Sequence, residues 1–339
     1  LKRFNLKNSN GINADIIDAG AAVQSLFVPD KNGNYEDIVL GLETPEEYLS
    51  NNDPYFGVIV GRYGNRIDEG KFSLGGKSYQ LTINEGTYHL HGGVNGFSKK
   101  IWSTEKIKSN LGDAVKLVYH SKDMEEGYPG NLTLTVIYTL TEANELRIEY
   151  EASTDKETVL NPTHHSYFNL TGNPQNTILG HEVMINADKY TPVNKTIIPT
   201  GELASVMNTP MDFRKPTEIG LHIEDDNEQL KIAGGYDFNW VINDFTGKVR
   251  KAASAFDSNS GRLLEVFTDQ PGIQFYTGNF LNGKAIGKNE TAYKYRCGLC
   301  FEAQHFPNSP NEKSFPTTVL KPGEVYKQTT IYKFSVLNQ

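Results

Sequence analysis

Residues 132–154 read LTLTVIYTLTEANELRIEYEAST. Leu132, Leu134, Val136, Tyr138 and Leu140 take every second position, and Leu146, Ile148, Tyr150 and Ala152 repeat the alternation after a short polar break. Successive side chains in a strand point to opposite faces, so each apolar set lines one face and the two segments read as half-buried strands that pair as neighbours. The same period recurs on either side. Phe72 and Leu74, then Tyr79, Leu81 and Ile83, alternate around Gly75-Gly76, the pattern of a hairpin. Turn chemistry punctuates the apolar runs at Pro29-Asp30-Lys31-Asn32-Gly33, Gly127-Tyr128-Pro129-Gly130 and Lys321-Pro322-Gly323-Glu324. One short helix is expected over 44–49, with Thr44 as N-cap and Pro45 in its first turn. The spacing predicts an all-β chain, a large antiparallel β-sandwich with little helix, rather than β-α-β units.

At 339 residues with 37% hydrophobic and 22% charged composition, the chain is long enough for a generous core and is globular in character. No low-complexity linker and no repeat of 20–50 residues divides it, so residues 1–339 are expected to form a single domain. The formal charge of −8 sets a field that repels phosphate backbones, which argues against nucleic acid as a partner. Apolar runs such as Phe56-Gly57-Val58-Ile59-Val60 fall far short of the roughly 20 residues a spanning helix needs, so no membrane partner is expected. The N-terminal segment lacks the apolar core of a secretory signal, which points to the cytoplasm; with no starting Met, a processed secretory or periplasmic form stays open. Cys297 and Cys300 have a C-x-x-C spacing without a second pair. Within a strand they would face opposite ways, and they are read as inert thiols of a reducing compartment.

The histidines are clustered. In Tyr88-His89-Leu90-His91-Gly92-Gly93, two imidazoles stand two apart and share a face if the segment is extended. That pattern could begin a metal site, or present one histidine to a polar substrate. In Asn161-Pro162-Thr163-His164-His165-Ser166-Tyr167-Phe168-Asn169-Leu170 the two histidines are adjacent, so only one of them enters any single pocket. Two carboxylates sit in apolar or aromatic surroundings: Asp237 in Gly234-Gly235-Tyr236-Asp237-Phe238-Asn239-Trp240 and Glu302 in Leu299-Cys300-Phe301-Glu302-Ala303-Gln304. Acidic groups in such company are paired or functional.

Six segments carry a family resemblance. Gly61-Arg62-Tyr63-Gly64-Asn65-Arg66-Ile67, Leu90-His91-Gly92-Gly93, the 161–170 run, Gly235-Tyr236-Asp237, Gln274-Phe275-Tyr276-Thr277-Gly278-Asn279-Phe280 and Phe301-Glu302-Ala303-Gln304 resemble, in order, the motifs of the aldose 1-epimerase (galactose mutarotase) family. Gly64 departs from the Ala frequent there, and His164 from Asn or Gly. The resemblance implies a galactose mutarotase-type supersandwich that interconverts the α and β anomers of free hexoses, galactose or glucose, by opening and closing the ring. It implies Glu302 as general base, His165 as general acid and His91 as the second site histidine. Asp237, Arg66, Asn65 and Gln274 resemble the groups that hold sugar hydroxyls, and Tyr276 lies near them. Proton transfer of this kind needs no cofactor and no metal. The expected partner is a monosaccharide, and the expected state a monomer or weak homodimer.

Four other readings compete. The same polar and aromatic residues would suit a non-catalytic carbohydrate-binding protein, which has no use for an acid–base pair. His89, His91 and a carboxylate would suit a metal-dependent hydrolase. Asp237 with Glu302 would suit a glycosidase. A hexose-6-phosphate 1-epimerase would need a basic pocket beside these motifs. Trp240 is either an apolar wall for the sugar or a core residue.

Overall fold

The computed structural model describes residues 1–50, 52 and 54–337. Residues 132–154 form two long strands, Leu132–Thr141 and Glu145–Thr154, paired antiparallel with Tyr138 opposite Ile148 and Val136 opposite Tyr150. Their apolar sets are buried on one face, as the alternation requires. Each such aliphatic side chain contributes about 1.5–3 kcal/mol on leaving water. These strands belong to a nine-stranded sheet that continues through Tyr326–Val336, Arg262–Thr268 and Arg250–Phe256.

A second sheet of six strands places Tyr167–Phe168, Leu299–Gln304, Gly272–Tyr276 and Asp237–Val241 side by side. Its inner face is aromatic: Phe238, Trp240, Phe275 and Phe301 join the main core. The nine-stranded sheet meets it there, with Tyr332 donating to the Phe301 carbonyl at 2.8 Å and its ring lying 5.1 Å from that of Phe168. The observed architecture is thus the expected large antiparallel β-sandwich. Among the described residues only three short α-helices occur. One is the anticipated Pro45–Ser50, where the Glu47 carboxylate reaches back to accept from the Thr44 amide at 2.9 Å, one half of a capping box. The hairpin around Gly75-Gly76 is present as Lys71–Leu74 and Lys77–Gln80.

One open alternative is decided and one expectation needs correction. Trp240 is fully buried in the inner core, where its indole nitrogen donates to the Met211 carbonyl at 3.1 Å; it is no wall for a ligand. The reason is parity, since Asp237 and Trp240 are three residues apart in one strand and face opposite ways. Cys297 lies in a turn before the strand that holds Cys300, so strand alternation does not separate the two thiols. Both are buried and unoxidised within the same apolar cluster.

Candidate active site

The outer face of the six-stranded sheet is polar. Strand register sets Tyr167, Cys300, Tyr276 and Asp237 in one row, and Glu302, Gln274 and Asn239 in the next. Above them a groove of ≈ 800 Å³ is lined by Asn65, Arg66, Tyr88, His91, His165, Asp237, Tyr276, Phe280 and Glu302, among others. That volume falls within the about 300–1,000 Å³ usual for small-molecule sites.

Each polar group is held by the chain around it. His165 is clipped at both ends of its peptide unit: its amide donates to Val58 O and its carbonyl accepts from the Gly57 amide, each at 2.9 Å. The ring then faces Glu302, with Nε2 3.5 Å from Oε1. His164 points the other way, bonded to Ser166 Oγ at 2.7 Å and set among Tyr138 and Tyr332, so the adjacent histidines do divide between groove and core.

His91 and His89 do not share a face. The strand ends at Leu90, His91 has φ of 49°, and a Cβ on Gly92 would lie 1.6 Å from Gly61 O, so only glycine permits the turn. His89 is left beneath, with Nδ1 2.6 Å from Thr82 O and Nε2 2.6 Å from the Tyr128 hydroxyl. His91 instead clasps Asn65: its amide donates to Asn65 O, and the Asn65 amide donates to His91 Nδ1, both at 3.0 Å. A ring whose Nδ1 accepts a backbone N–H carries its own proton on Nε2 when neutral.

Asp237 is fully engaged. Arg66 reaches Oδ2 at 3.1 Å and Gln274 reaches Oδ1 at 2.7 Å, while Gln304 supports Gln274 from below at 3.3 Å. Asn65 contributes through its Oδ1, which accepts from the Arg66 amide at 2.9 Å, and the guanidinium lies over the Tyr88 ring. Tyr276 is present in the groove with Phe280 stacked on it at the mouth.

Burial governs the electrostatics. Glu302 is pushed well above the ordinary carboxylate range by desolvation, helped by the Asp237 charge and opposed by Arg66. Desolvation also draws His165 down to about 4 and His91 well below its usual value. Arg66 resists burial because Asp237 and Tyr88 favour its charge. Glu302 Oε2 is buried with no hydrogen-bonding partner among the described residues, an acceptor facing a groove rather than a fold.

Of the eight residues singled out by the sequence, Glu302, His165, His91, Asn65, Arg66, Asp237 and Tyr276 line the groove, and Gln274 is buried behind Asp237, which it holds by a hydrogen bond. Others were not anticipated. Tyr55 packs on both imidazoles, with centroids 4.7 Å from His91 and 6.0 Å from His165. Tyr167 and Cys300 flank His165. Period two could have found these last two, since each is two residues from a named group; Tyr55, at φ of 64°, gave no such signal.

A nitrogen of each site histidine and a Glu302 oxygen lie within 4.8 Å of one another, a spacing that could admit a cation. The donor chemistry argues otherwise, because the free nitrogen of His91 presents N–H rather than a lone pair. The donor set built on His89 is not assembled, both of its nitrogens being bonded elsewhere.

Fold and site together define an all-β carbohydrate-type groove in which one buried carboxylate meets two imidazoles over a charged clamp. The chain belongs to the aldose 1-epimerase family, whose model, Aldose 1-epimerase, matches residues 2–333. It is 45% identical over 336 residues to the galactose mutarotase of Bos taurus, covering 99% of this chain and 94% of that protein. It is 35% identical over 331 residues to the aldose 1-epimerase of Escherichia coli (strain K12), covering 97% and 94%. The structure of the GalM/aldose epimerase homologue from C. elegans superposes with a TM-score of 0.88 at 32% identity, covering 99% of each chain.

Proposed function

We propose that this aldose 1-epimerase interconverts the anomers of a free hexose with Glu302 as general base and His165 as general acid, within one domain spanning the chain. Ionised Glu302 takes the proton of the C1 hydroxyl while the imidazolium of His165 gives its Nε2 proton to the ring oxygen, and the C1–O5 bond breaks to the aldehyde. After rotation about C1–C2 the protonated carboxyl and neutral imidazole run the same transfers backwards, so the pair ends as it began. One proton serves the pair throughout.

The observation that carries this reading is the approach of His165 Nε2 to Glu302 Oε1 at 3.5 Å, both groups buried at the groove floor. The two oxygens exchanging protons are bonded to the same carbon, so an acid and a base this close can serve them together. Burial of both groups favours the uncharged arrangement, and the Asp237 charge adds to this at Glu302, while Arg66 opposes them and lowers the cost of ionising the carboxylate. His91 adds a fixed N–H donor, and Asp237, Arg66, Asn65 and Gln274 supply the clamp for the remaining hydroxyls.

Competing readings find less support. A glycosidase needs Asp237 free to attack or to activate water, whereas both of its oxygens are already bonded. Arg66 is already neutralised by Asp237, so the clamp at the groove floor suits neutral hydroxyls, while Lys99 and Lys284 also border the groove. A simple sugar binder has no use for a carboxylate held well above its ordinary range beside an imidazole.

The test follows the optical rotation of freshly dissolved α-D-galactose with catalytic protein, with and without EDTA. Accelerated mutarotation that survives chelation is expected; loss of activity with EDTA would revive the metal reading, and no acceleration would leave a binding protein. In the same assay Arg66→Ala should raise KM about ten- to hundredfold, the worth of a charged hydrogen bond. It also leaves Asp237 without its cation, which pushes Glu302 higher still. An unchanged KM would remove Arg66 from the clamp.

A further inference from the structure

Beyond the row of Glu302, Gln274 and Asn239 the polar face of the six-stranded sheet has one more. Gln304 follows Glu302 by two residues on the Leu299–Gln304 strand, so both side chains rise from the same face, and Gln304 is fully buried. It pairs with Gly272, where a Cβ would come within 2.4 Å of Asn239 Oδ1, so a residue without a side chain is what admits the Asn239 amide there. From this place Gln304 Nε2 donates to Gln274 Oε1 at 3.3 Å and to Asn239 Oδ1 at 3.4 Å. We propose that Gln304 is a positioning residue of the sugar clamp: it fixes the direction of the Gln274 amide, and through that amide holds the Asp237 carboxylate in place for the hydroxyls of the substrate. The inference rests on Asp237 holding those hydroxyls.

Polarity passes along the chain one amide at a time. Asp237 is ion-paired with Arg66, so its oxygens only accept. Gln274 must then turn Nε2 toward Oδ1, at 2.7 Å, which leaves its own Oε1 facing Gln304. Against that acceptor Gln304 must also present its nitrogen, and the two hydrogens it carries go to Gln274 and Asn239. A reversed Gln274 would set Oε1 against the Asp237 carboxylate, and the two ends of an amide are too alike in size for packing to forbid it. The donor from Gln304 weights the amide against that reversal. The fold gains little from the direction chosen, because Gln304 Oε1 and Asn239 Nδ2 stay buried without a hydrogen-bonding partner among the described residues. With Arg66 on Oδ2 and Gln274 on Oδ1, each oxygen of Asp237 keeps one lone pair for a sugar hydroxyl.

Variants that keep the volume separate hydrogen bonding from packing when KM for α-D-galactose is read by polarimetry. Gln304→Met fills the same space without a donor, and Gln304→Glu keeps the shape but offers at most one hydrogen to two acceptors. Each should raise KM about fivefold, the worth of one modest neutral hydrogen bond. In Q304M kcat should hold, because the Asp237 charge and the Glu302–His165 pair are untouched. Gln274→Met should raise KM about ten- to hundredfold, and adding Q304M to it should cost nothing further, since Gln304 acts only through the amide already removed. Unchanged KM in both Gln304 variants would overturn the proposal, as would full additivity in the double variant or a loss confined to kcat. With 15N-glutamine labelling, the Gln274 side-chain hydrogens, assigned by their loss in Gln274→Met, should exchange with water faster in Q304M; an unchanged rate would overturn the contact. Unchanged KM in Asp237→Asn would instead overturn the clamp reading, on which the exchange rates do not depend.

Discussion

Glu302→Gln is expected to lower kcat for α-D-galactose mutarotation by about 10²–10⁴-fold, the contribution of one positioned acid–base group, with KM close to wild type. Glutamine keeps the shape and one carbonyl oxygen but has no basicity, so the C1 hydroxyl proton loses its acceptor. The same substitution should raise thermal stability at neutral pH. Glu302 holds its proton in the folded state to a pH well above the ordinary carboxylate value, whereas the unfolded chain releases it in the ordinary range. Between those two values the native state binds more protons than the unfolded state, so stability falls as pH rises through that window. Glutamine, which does not titrate, escapes the loss. A melting series in parallel with polarimetry checks both halves: a variant with near-wild-type kcat would remove Glu302 as the base, and an unchanged melting temperature would show that its burial costs the fold nothing.

That opposition, a group that stabilises the reaction and strains the fold, marks the site more clearly than any motif. It was partly legible in the sequence. Glu302 sits between Phe301 and Ala303 in a strand, and once the strand is drawn, parity alone sends Glu302 to the polar face and Phe301 to the core. Applied to Asp237 and Trp240, the same parity would have removed the tryptophan from the groove. The sheets were legible for the reason the Leu132–Thr141 strand shows: one face must be buried, and period two exposes which. The pairing of Gln274 with Asp237, and of Gln304 with Gln274, was not, because cross-strand register depends on loops between strands far apart in the chain. The divergence of His89 and His91 was hidden for a local reason. Their spacing implies one face only while the backbone stays extended, and the turn at His91 and Gly92 ends the strand between them. Tyr55 lies outside any periodic element, and its place over both imidazoles follows from backbone geometry that residue type does not announce.

His165→Asn should cost a similar factor in kcat, about 10²–10⁴-fold, since an amide donates a hydrogen bond but surrenders no proton to the ring oxygen. Its more telling effect is on the pH profile. In the wild type, one proton shared between Glu302 and His165 makes the active form, whichever of the two carries it. Activity should fall as pH drops through about 4, where His165 takes a second proton and no base is left. It should fall again on the alkaline side, above the raised value of Glu302, where the shared proton is gone and no acid remains. In His165→Asn there is nothing to share. Glu302 must then be ionised to act at all, so the residual rate should climb with pH through the region where the wild-type rate declines. A mutant profile that keeps its acid limb near pH 4 would mean that Glu302 is ionised throughout and that the pair does not share a proton. A limb displaced upward, with KM for the sugar unchanged and kcat lowered, is the result expected if the imidazole of the wild type shares the proton that the ring oxygen receives.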